Sequence, residues 1–170
     1  DTGRQPLPIS VNGSRTYLQK EDVAGYIKNL IDQYQIPMEL FQLEITETTE
    51  NAESLSYINS LKQAGFTLLM DDFGSGYSSL CMLKNTPFDV LKMDRQFLDE
   101  CLDSTQGKTI ISHVISMSND LGLSIIAEGV ENRGTADFLY DNGCSVSQGF
   151  YFSKPVPIPE FEHMLDEQQR

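Results

Sequence analysis

The sequence predicts an α/β fold built on a parallel sheet, and three observations predict it. Short aliphatic runs alternate with helical patterns along all 170 residues, glycines follow three of the helical patterns, and polar residues end the aliphatic runs. Alternation of this kind is typical of βαβ units, in which each helix covers the sheet that its neighbouring strands form. We therefore expect a parallel sheet with its polar residues at one edge.

Six aliphatic or β-branched runs are predicted to be strands. Each is of ordinary strand length and is followed by a turn signal or a helical pattern. They span residues 7–12, 40–46, 66–71, 89–94, 123–129 and 146–152.

Helical patterns lie between these runs. Val23, Ile27, Leu30 and Tyr34 recur at steps of three or four residues, which places them on one face of a first helix. Left-handed glycines commonly end helices. Three glycines predict such ends: Gly65 for a helix at 52–64, Gly122 for a helix containing Ile111 and Leu121, and Gly143 for a helix containing Leu139. A last helix is predicted at 159–167.

The number of units predicts a TIM-type (β/α) barrel that is incomplete, with about six of its eight βα units. A closed barrel of eight units has roughly 250 residues, so six units in 170 residues have the right size per unit but are two short. An open six-stranded sheet is the alternative. The first strand begins with no helix ahead of it to cover the sheet, which favours a truncated barrel. We expect residues 1–170 to form a single domain.

Composition excludes several classes of function. A net charge of −13 and a pI near 4.4 argue against a partner that is a nucleic acid polymer or an anionic membrane. Cys81, Cys101 and Cys144 lie far apart, so neither a disulfide framework nor a zinc site is indicated. No run has the roughly 20 apolar residues of a membrane span. We expect a cytoplasmic protein, although a longer parent could carry a membrane anchor elsewhere.

Polar residues able to do chemistry end all six runs. The carboxyl ends of parallel strands meet on one face of the fold, so these side chains are predicted to share one pocket. A single polar residue at a strand end is usually only the start of a loop, but six in succession indicate a site. They are Asn12, Glu44 with Glu47, Asp71 with Asp72, Lys92 with Asp94, Glu128, and Gln148.

The residue types predict a site for hard cations. Asn12, Glu44 and Asp71 offer oxygen ligands, which favour Mg²⁺, Mn²⁺ or Ca²⁺ over zinc. Asp72 could reach a second ion, and two ions about 4 Å apart can clamp both oxygens of a phosphodiester. A solvated loop or a helix N-cap is the alternative for the aspartate pair. The stretch "FGSGYSSL" behind it predicts a tight loop and a helix start.

Lys92 and Glu128 are the predicted catalytic residues. Lys92 lies in an apolar strand and should point into a polar pocket or pair with Asp94, orienting a water or stabilising charge on phosphate. A plain salt bridge is the alternative. Glu128 ends another apolar strand, where burial raises a carboxyl pKa as expected of a general base or a metal ligand. Glu131 could hold Glu128 in place or simply lie on the surface.

The motifs "SVNGS", "LEITET", "LLMDDFGSGYSSL", "FDVLKMD", "IIAEGVEN" and "GCSVSQGFYFSKPVP" resemble, in order and spacing, the EAL domain of cyclic di-GMP phosphodiesterases. The resemblance implies a modified eight-unit barrel. It also implies an enzyme that uses magnesium or manganese to hydrolyse one phosphodiester of cyclic di-GMP, which gives linear pGpG.

The resemblance implies a role for each site residue. Lys92 would position the attacking water, and Glu128 would be the base or a metal-linked glutamate. Gln148 would contact the metal-bound water or the substrate, and Glu131 would organise the site. Glu47 would anchor the "DDFGSG" loop, which is implicated in dimerisation, so a homodimer through the region after Asp72 is predicted. The implied metal ligands are Asn12, Glu44, Asp71, Asp72 for the second metal, and Asp94.

The chain departs from the family pattern at two points. The Glu-Ala-Leu signature, whose glutamate is a metal ligand, is absent, so the resemblance covers the C-terminal two-thirds of the barrel and predicts a fragment inactive alone. Gly13 replaces an aliphatic residue, a change expected to be mild. Three alternatives stay open: a non-catalytic cyclic di-GMP receptor, a barrel lyase or aldolase with a Schiff base on Lys92, and an open sheet edge that pairs with a second copy.

Overall fold

A computed structural model describes residues 6–13, 22–46, 52–75 and 79–168 of the chain. Its six strands form one sheet in sequence order, and each strand pairs in parallel with its neighbour along the chain. The prediction of an incomplete TIM-type α/β fold is confirmed, since the sheet curls into a partial barrel with helices on its outside. The strands are β1 (Ile9–Asn12), β2 (Phe41–Thr46), β3 (Thr67–Phe73), β4 (Val90–Met93), β5 (Ser124–Ala127) and β6 (Val146–Ser147).

Seven α-helices connect and follow these strands in the described ranges. All the predicted helices are present, including the one that begins after the Gly-rich stretch. A 3₁₀ turn at Met38–Leu40 and the helix after β4 were not predicted. The α-helices are α1 (Val23–Gln33), α2 (Ala52–Gln63), α3 (Ser79–Asn85), α4 (Arg95–Leu102), α5 (Thr105–Asp120), α6 (Arg133–Asp141) and α7 (Ile158–Gln168). Among the described residues, no helix has the length and apolar character to cross a bilayer.

Two predicted strand boundaries were wrong in ways that affect the site. β3 continues to Phe73, so Asp71 and Asp72 lie inside the strand rather than at its end. The predicted strand at 146–152 stops at Ser147. There the chain turns, because the Tyr151 amide donates to the Val130 carbonyl instead of continuing the β ladder.

The hydrophobic core lies between the sheet and the helices. Alternate strand residues, among them Leu43, Met70 and Leu91, are fully or nearly fully buried in this core. Since successive side chains of a strand point to opposite faces, the residues next to them point to the concave side of the sheet. Those neighbours are Glu44, Asp71 and Lys92, which are also buried.

Candidate active site

Lys92 is the centre of the candidate site. Its Nζ lies 2.8 Å from Glu44 Oε1, 2.8 Å from Asp71 Oδ1 and 2.8 Å from Glu128 Oε1. These four side chains come from four different elements, β2, β3, β4 and the residue after β5, so the curvature of the sheet brings them together. An ammonium has three donors, and all three are used by these carboxylates. The predicted polar pocket around Lys92 is therefore present, and its ion-pair partners are these three carboxylates rather than Asp94.

A bulge in β3 brings Asp72 to the same site as Asp71. Successive strand residues normally point to opposite faces, but the pairing of β3 with β4 shifts register between Met70 and Phe73. At the bulge Asp72 adopts a left-handed backbone with φ of 58°, which few non-glycine residues do. One carboxylate oxygen of Asp71, one of Asp72 and one of Glu128 consequently lie within 4.8 Å of one another.

The charges of this cluster do not balance. Four carboxylates, Glu44, Asp71, Asp72 and Glu128, carry four negative charges, and Lys92 supplies one positive charge, which leaves a formal charge of −3. Glu44, Asp71 and Lys92 are buried, so water screens this charge poorly. Oxygen ligands at this density are suited to hard divalent cations. One or two such ions would therefore balance the negative charge of the cluster better than Lys92 does alone.

The pKa values of the cluster follow from burial and from these charges. Burial raises the pKa of Glu128, Lys92 opposes the rise, and Asp71 and Glu44 add to it. The pKa of Asp72 is likewise raised, first by burial and then by Asp71 and Asp94. For Lys92, burial alone would lower the pKa, but the three carboxylates outweigh burial and raise it. Lys92 is therefore a stable cation in the site.

Gln148 and Glu131 occupy different parts of the site. Gln148 Nε2 donates to Glu128 Oε1 at 2.7 Å, so Gln148 contacts the Lys92 cluster through Glu128. Glu131 instead pairs with Arg95, with Glu131 Oε1 2.6 Å from Arg95 Nη1. The described contacts include none between Glu131 and Glu128, so a role of Glu131 in holding Glu128 in place stays a prediction. Sequence reasoning missed Arg95, because no pattern marked the residue after Asp94 as part of the site.

A cavity of about 510 Å³ lies beside the cluster. Its polar lining includes Arg95, Glu131, Gln148 and Lys154, and Phe150 contributes an aromatic face. Polar groups from several elements thus converge on an open, partly apolar cavity, which is the usual form of a small-molecule site.

Gly129 sets the path of the chain between Glu128 and Glu131. It has a φ of +65°, and a Cβ at this position would lie 2.4 to 2.7 Å from side-chain carbons of Arg95. The aliphatic part of Arg95 therefore lies directly over the Gly129 backbone. Only glycine combines this backbone conformation with such a close approach without strain.

The end of β1 places Asn12 beside Glu44, since the two are register partners in the sheet. Asn12 is exposed at the edge strand. Two residues earlier, Ser10 Oγ donates to Glu44 Oε1 at 2.6 Å. Sequence reasoning missed Ser10, although a polar residue two positions before Asn12 on the same face of a strand was the available signal. Gly13 closes the strand, its amide donating to the Glu44 carbonyl at 2.8 Å.

Asp94 caps helix α4. Its Oδ1 accepts the amide of Gln96 at 2.8 Å and the amide of Phe97 at 3.4 Å. The N-cap that was considered for the aspartate pair thus belongs to Asp94. Its Oδ2 has no hydrogen-bond partner among the described residues. Asp94 also lies close enough to Asp72 to raise the pKa of Asp72. Glu47 lies outside the described residues.

Two comparisons by sequence identify similar proteins. The family model for the EAL domain matches residues 1–155. The signaling protein YkoW of Bacillus subtilis is 38% identical over 165 residues, which are 95% of this chain and 21% of YkoW. The cyclic di-GMP phosphodiesterase RocR of Pseudomonas aeruginosa is 35% identical over 95% of this chain and 41% of RocR. The chain thus spans less than half the length of these curated relatives.

Solved structures that contain cyclic di-GMP are also similar to this chain over most of its length. The EAL enzyme Bd1971, in a form with cAMP and cyclic di-GMP bound, has a TM-score of 0.86 and 29% identity, over 93% of this chain and 43% of that one. Klebsiella pneumoniae BlrP1, in a complex with manganese and cyclic di-GMP, has a TM-score of 0.81 and 27% identity, over 88% of this chain and 39% of that one.

Proposed function

The chain belongs to the EAL domain family, and from that premise we propose that it carries most of the site of a cyclic di-GMP phosphodiesterase. The proposed reaction is metal-dependent hydrolysis of one phosphodiester bond, which gives linear pGpG. The observation that carries the proposal is the cluster around Lys92, because its formal charge of −3 on the concave side of the sheet suits divalent cations that bind a phosphodiester. The names of RocR and of the BlrP1 complex support the substrate.

We propose Mg²⁺ or Mn²⁺ as the cofactor. Glu44, Asp71 and Asn12 would hold one ion, and Asp72 would hold a second. Asp94 keeps one carboxylate oxygen available for the same centre. When bound, such ions polarise the phosphate and neutralise the charge that develops on it. The manganese in the BlrP1 complex supports a divalent cation at an EAL site of this kind.

The chain's own residues divide the remaining work. Lys92 orients three carboxylates at once, since its three N–H groups point to Glu44, Asp71 and Glu128. If Lys92 also positions the attacking water, it must give up one of these contacts. Glu128 is the proposed general base, because burial raises its pKa and its Oε2 has no hydrogen-bond partner in the described part of the chain. Gln148 holds Glu128, and Glu131 with Arg95 forms part of the cavity wall.

Schiff-base chemistry at Lys92 is not favoured. A nucleophilic amine must be neutral, and enzymes that use lysine in this way lower its pKa. The three carboxylates raise the pKa of Lys92 instead. The charge of the site thus supports phosphodiester chemistry over a lyase or aldolase.

Turnover of cyclic di-GMP by the full-length protein tests the proposal. With Mg²⁺ or Mn²⁺ we expect conversion to linear pGpG, measured by chromatography, and no conversion in EDTA. Tight binding of cyclic di-GMP without any conversion in either metal would contradict the proposal and favour the non-catalytic receptor. The 170-residue chain by itself is expected to be inactive.

The remaining proposals concern the protein as a whole. We propose that residues 1–170 form one domain, the C-terminal two-thirds of an EAL barrel, in a cytoplasmic protein. A homodimer through the region after Asp72 is also proposed. It is supported by Leu80 at the start of α3, whose side chain is 61% exposed. Light scattering of the full-length protein should give twice the monomer mass.

A further inference from the structure

Lys92 contacts one oxygen, and not both, of each carboxylate around it. Each of the three carboxylates contacts Lys92 through one oxygen only: Glu44 through Oε1, Asp71 through Oδ1 and Glu128 through Oε1. Their second oxygens have no hydrogen-bond partner among the described residues. Each carboxylate is therefore divided, with one oxygen facing the lysine and the other available to a ligand.

In Glu44, a second donor holds the carboxylate in this orientation. Ser10 Oγ donates at 2.6 Å to Oε1, the same oxygen that faces Lys92. Rotation of the Glu44 carboxylate would break both contacts at once. Hydrogen bonds to a carboxylate are short and roughly twice as strong as neutral ones, and a distance of 2.6 Å is in the range of such bonds.

Glu128 shows the same arrangement with a different donor. Gln148 Nε2 donates at 2.7 Å to Glu128 Oε1, again the oxygen that faces Lys92. The two carboxylates on opposite sides of Lys92 are thus held in the same way. In each, a neutral donor and Lys92 both donate to the same carboxylate oxygen. This recurrence argues that the contact of Ser10 has a purpose beyond the pairing of β1 with β2.

We propose that Ser10 is a positioning residue that holds Glu44 so that only Oε2 can bind a cation. Partners of metal ligands of this kind orient the ligand, and their loss typically weakens metal binding about 10- to 100-fold. Without Ser10, the Glu44 carboxylate can rotate about its last bond, and its alignment must be regained when the ion binds. The inference rests on the cation site of the proposed function.

Binding of Mn²⁺ to the full-length protein, followed by electron paramagnetic resonance, tests the role of Ser10 without relying on turnover. Ser10→Ala should weaken Mn²⁺ binding by about 10-fold. Ser10→Thr keeps the hydroxyl and should bind within about threefold of the unmodified protein. Ser124→Ala is the matched control. Ser124 is the first residue of β5, at the end away from Glu128, so its loss should not change Mn²⁺ binding. Urea denaturation in EDTA shows whether each variant folds.

A double-mutant cycle separates positioning from a general effect on the sheet. In a Glu44→Gln background, Ser10→Ala should have almost no further effect on Mn²⁺ binding, because the two residues act together. An equal loss in both backgrounds would overturn the inference, as would Mn²⁺ binding by Ser10→Ala within about twofold of the unmodified protein. If the unmodified protein binds no Mn²⁺, the proposed function itself fails and the inference fails with it.

Discussion

At the scale of single residues, Lys92 determines the electrostatics of the site. Its side chain is only about 6% exposed, and it contacts three carboxylates that would otherwise repel one another. Removing one partner of a buried ion pair leaves an uncompensated charge, which costs far more than the pair contributes. The lysine is thus required for the cluster to fold before any cation binds.

Replacing Lys92 should destabilise the metal-free protein strongly. We expect Lys92→Met to lower the free energy of unfolding by about 3–5 kcal/mol, measured by urea denaturation in EDTA. Lys28→Met is the control: Lys28 pairs with Asp32 on an exposed helix face, and its loss should cost no more than about 0.5 kcal/mol. Equal stability of the two variants would contradict the central position of Lys92.

Glu128 should give the metal-free protein a measurable pH dependence. Its pKa is raised in the folded state, so the folded protein holds this proton to a higher pH than the unfolded chain does. The stabilisation is complete below the unfolded-state pKa of about 4.3 and is lost as the pH rises through the folded-state pKa. Glu128→Gln should therefore flatten the fall in stability above about pH 4.3. Urea denaturation at a series of pH values in EDTA measures this, and an unchanged slope would refute it.

At the scale of elements, aliphatic and β-branched runs predicted the strands, and three- and four-residue spacing with glycine caps predicted most helices, because these signals are local. β6 was predicted too long, since "GFYF" has the composition of a strand while the chain turns at Gly149. Helix α4 was missed because Asp94 was assigned to an ion pair with Lys92 or to the metal centre, although an aspartate is also a common N-cap.

The candidate site was predictable for a different reason. Parallel strands bring their ends together, so Glu44, Asp71, Lys92 and Glu128 could be grouped from their positions alone. The partners within the group could not, because they depend on the curvature of the sheet and on the bulge at Asp72. Ser10 and Arg95 were missed because each acts through a contact between two elements, Ser10 with Glu44 and Arg95 with Glu131.

The turn after β5 should depend on Gly129. Gly129→Ala and Gly122→Ala both place a side chain on a backbone with positive φ, at a cost of about 1–2 kcal/mol each. At Gly122 the added Cβ meets open space, whereas at Gly129 it meets the Arg95 side chain. We expect Gly129→Ala to lose at least about 1 kcal/mol more than Gly122→Ala in urea denaturation.

A second variant shows whether Arg95 causes the difference at Gly129. Arg95→Ala removes the side chain that the new Cβ would meet, so the extra loss in Gly129→Ala should disappear in the double variant. A loss that persists without the Arg95 side chain would show that backbone strain alone is responsible.

At the scale of the whole molecule, β1 and β6 are the two edges of the described sheet. β1 is also apolar on its outer face, where Ile9 is 66% and Val11 43% exposed. Exposed apolar edge strands readily pair with other chains. The isolated 170-residue chain is therefore expected to associate as its concentration rises.

Ile9→Lys should reduce this association, because a charged residue on an edge strand opposes pairing. Ile110→Lys is the control, since Ile110 is 50% exposed on α5, away from the edge. Light scattering over a concentration series measures both. Equal masses for the two variants would show that β1 is not the contact.

Hydrolysis by site variants of the full-length protein tests the central claim most directly, that the carboxylates around Lys92 form a divalent-cation site for cyclic di-GMP. Conversion of cyclic di-GMP to linear pGpG in Mn²⁺ should fall by at least about 100-fold in Asp71→Asn and in Glu44→Gln, because each loses a charged ligand. Thermal melting in EDTA should show that both remain folded. Undiminished hydrolysis by either folded variant would contradict the account.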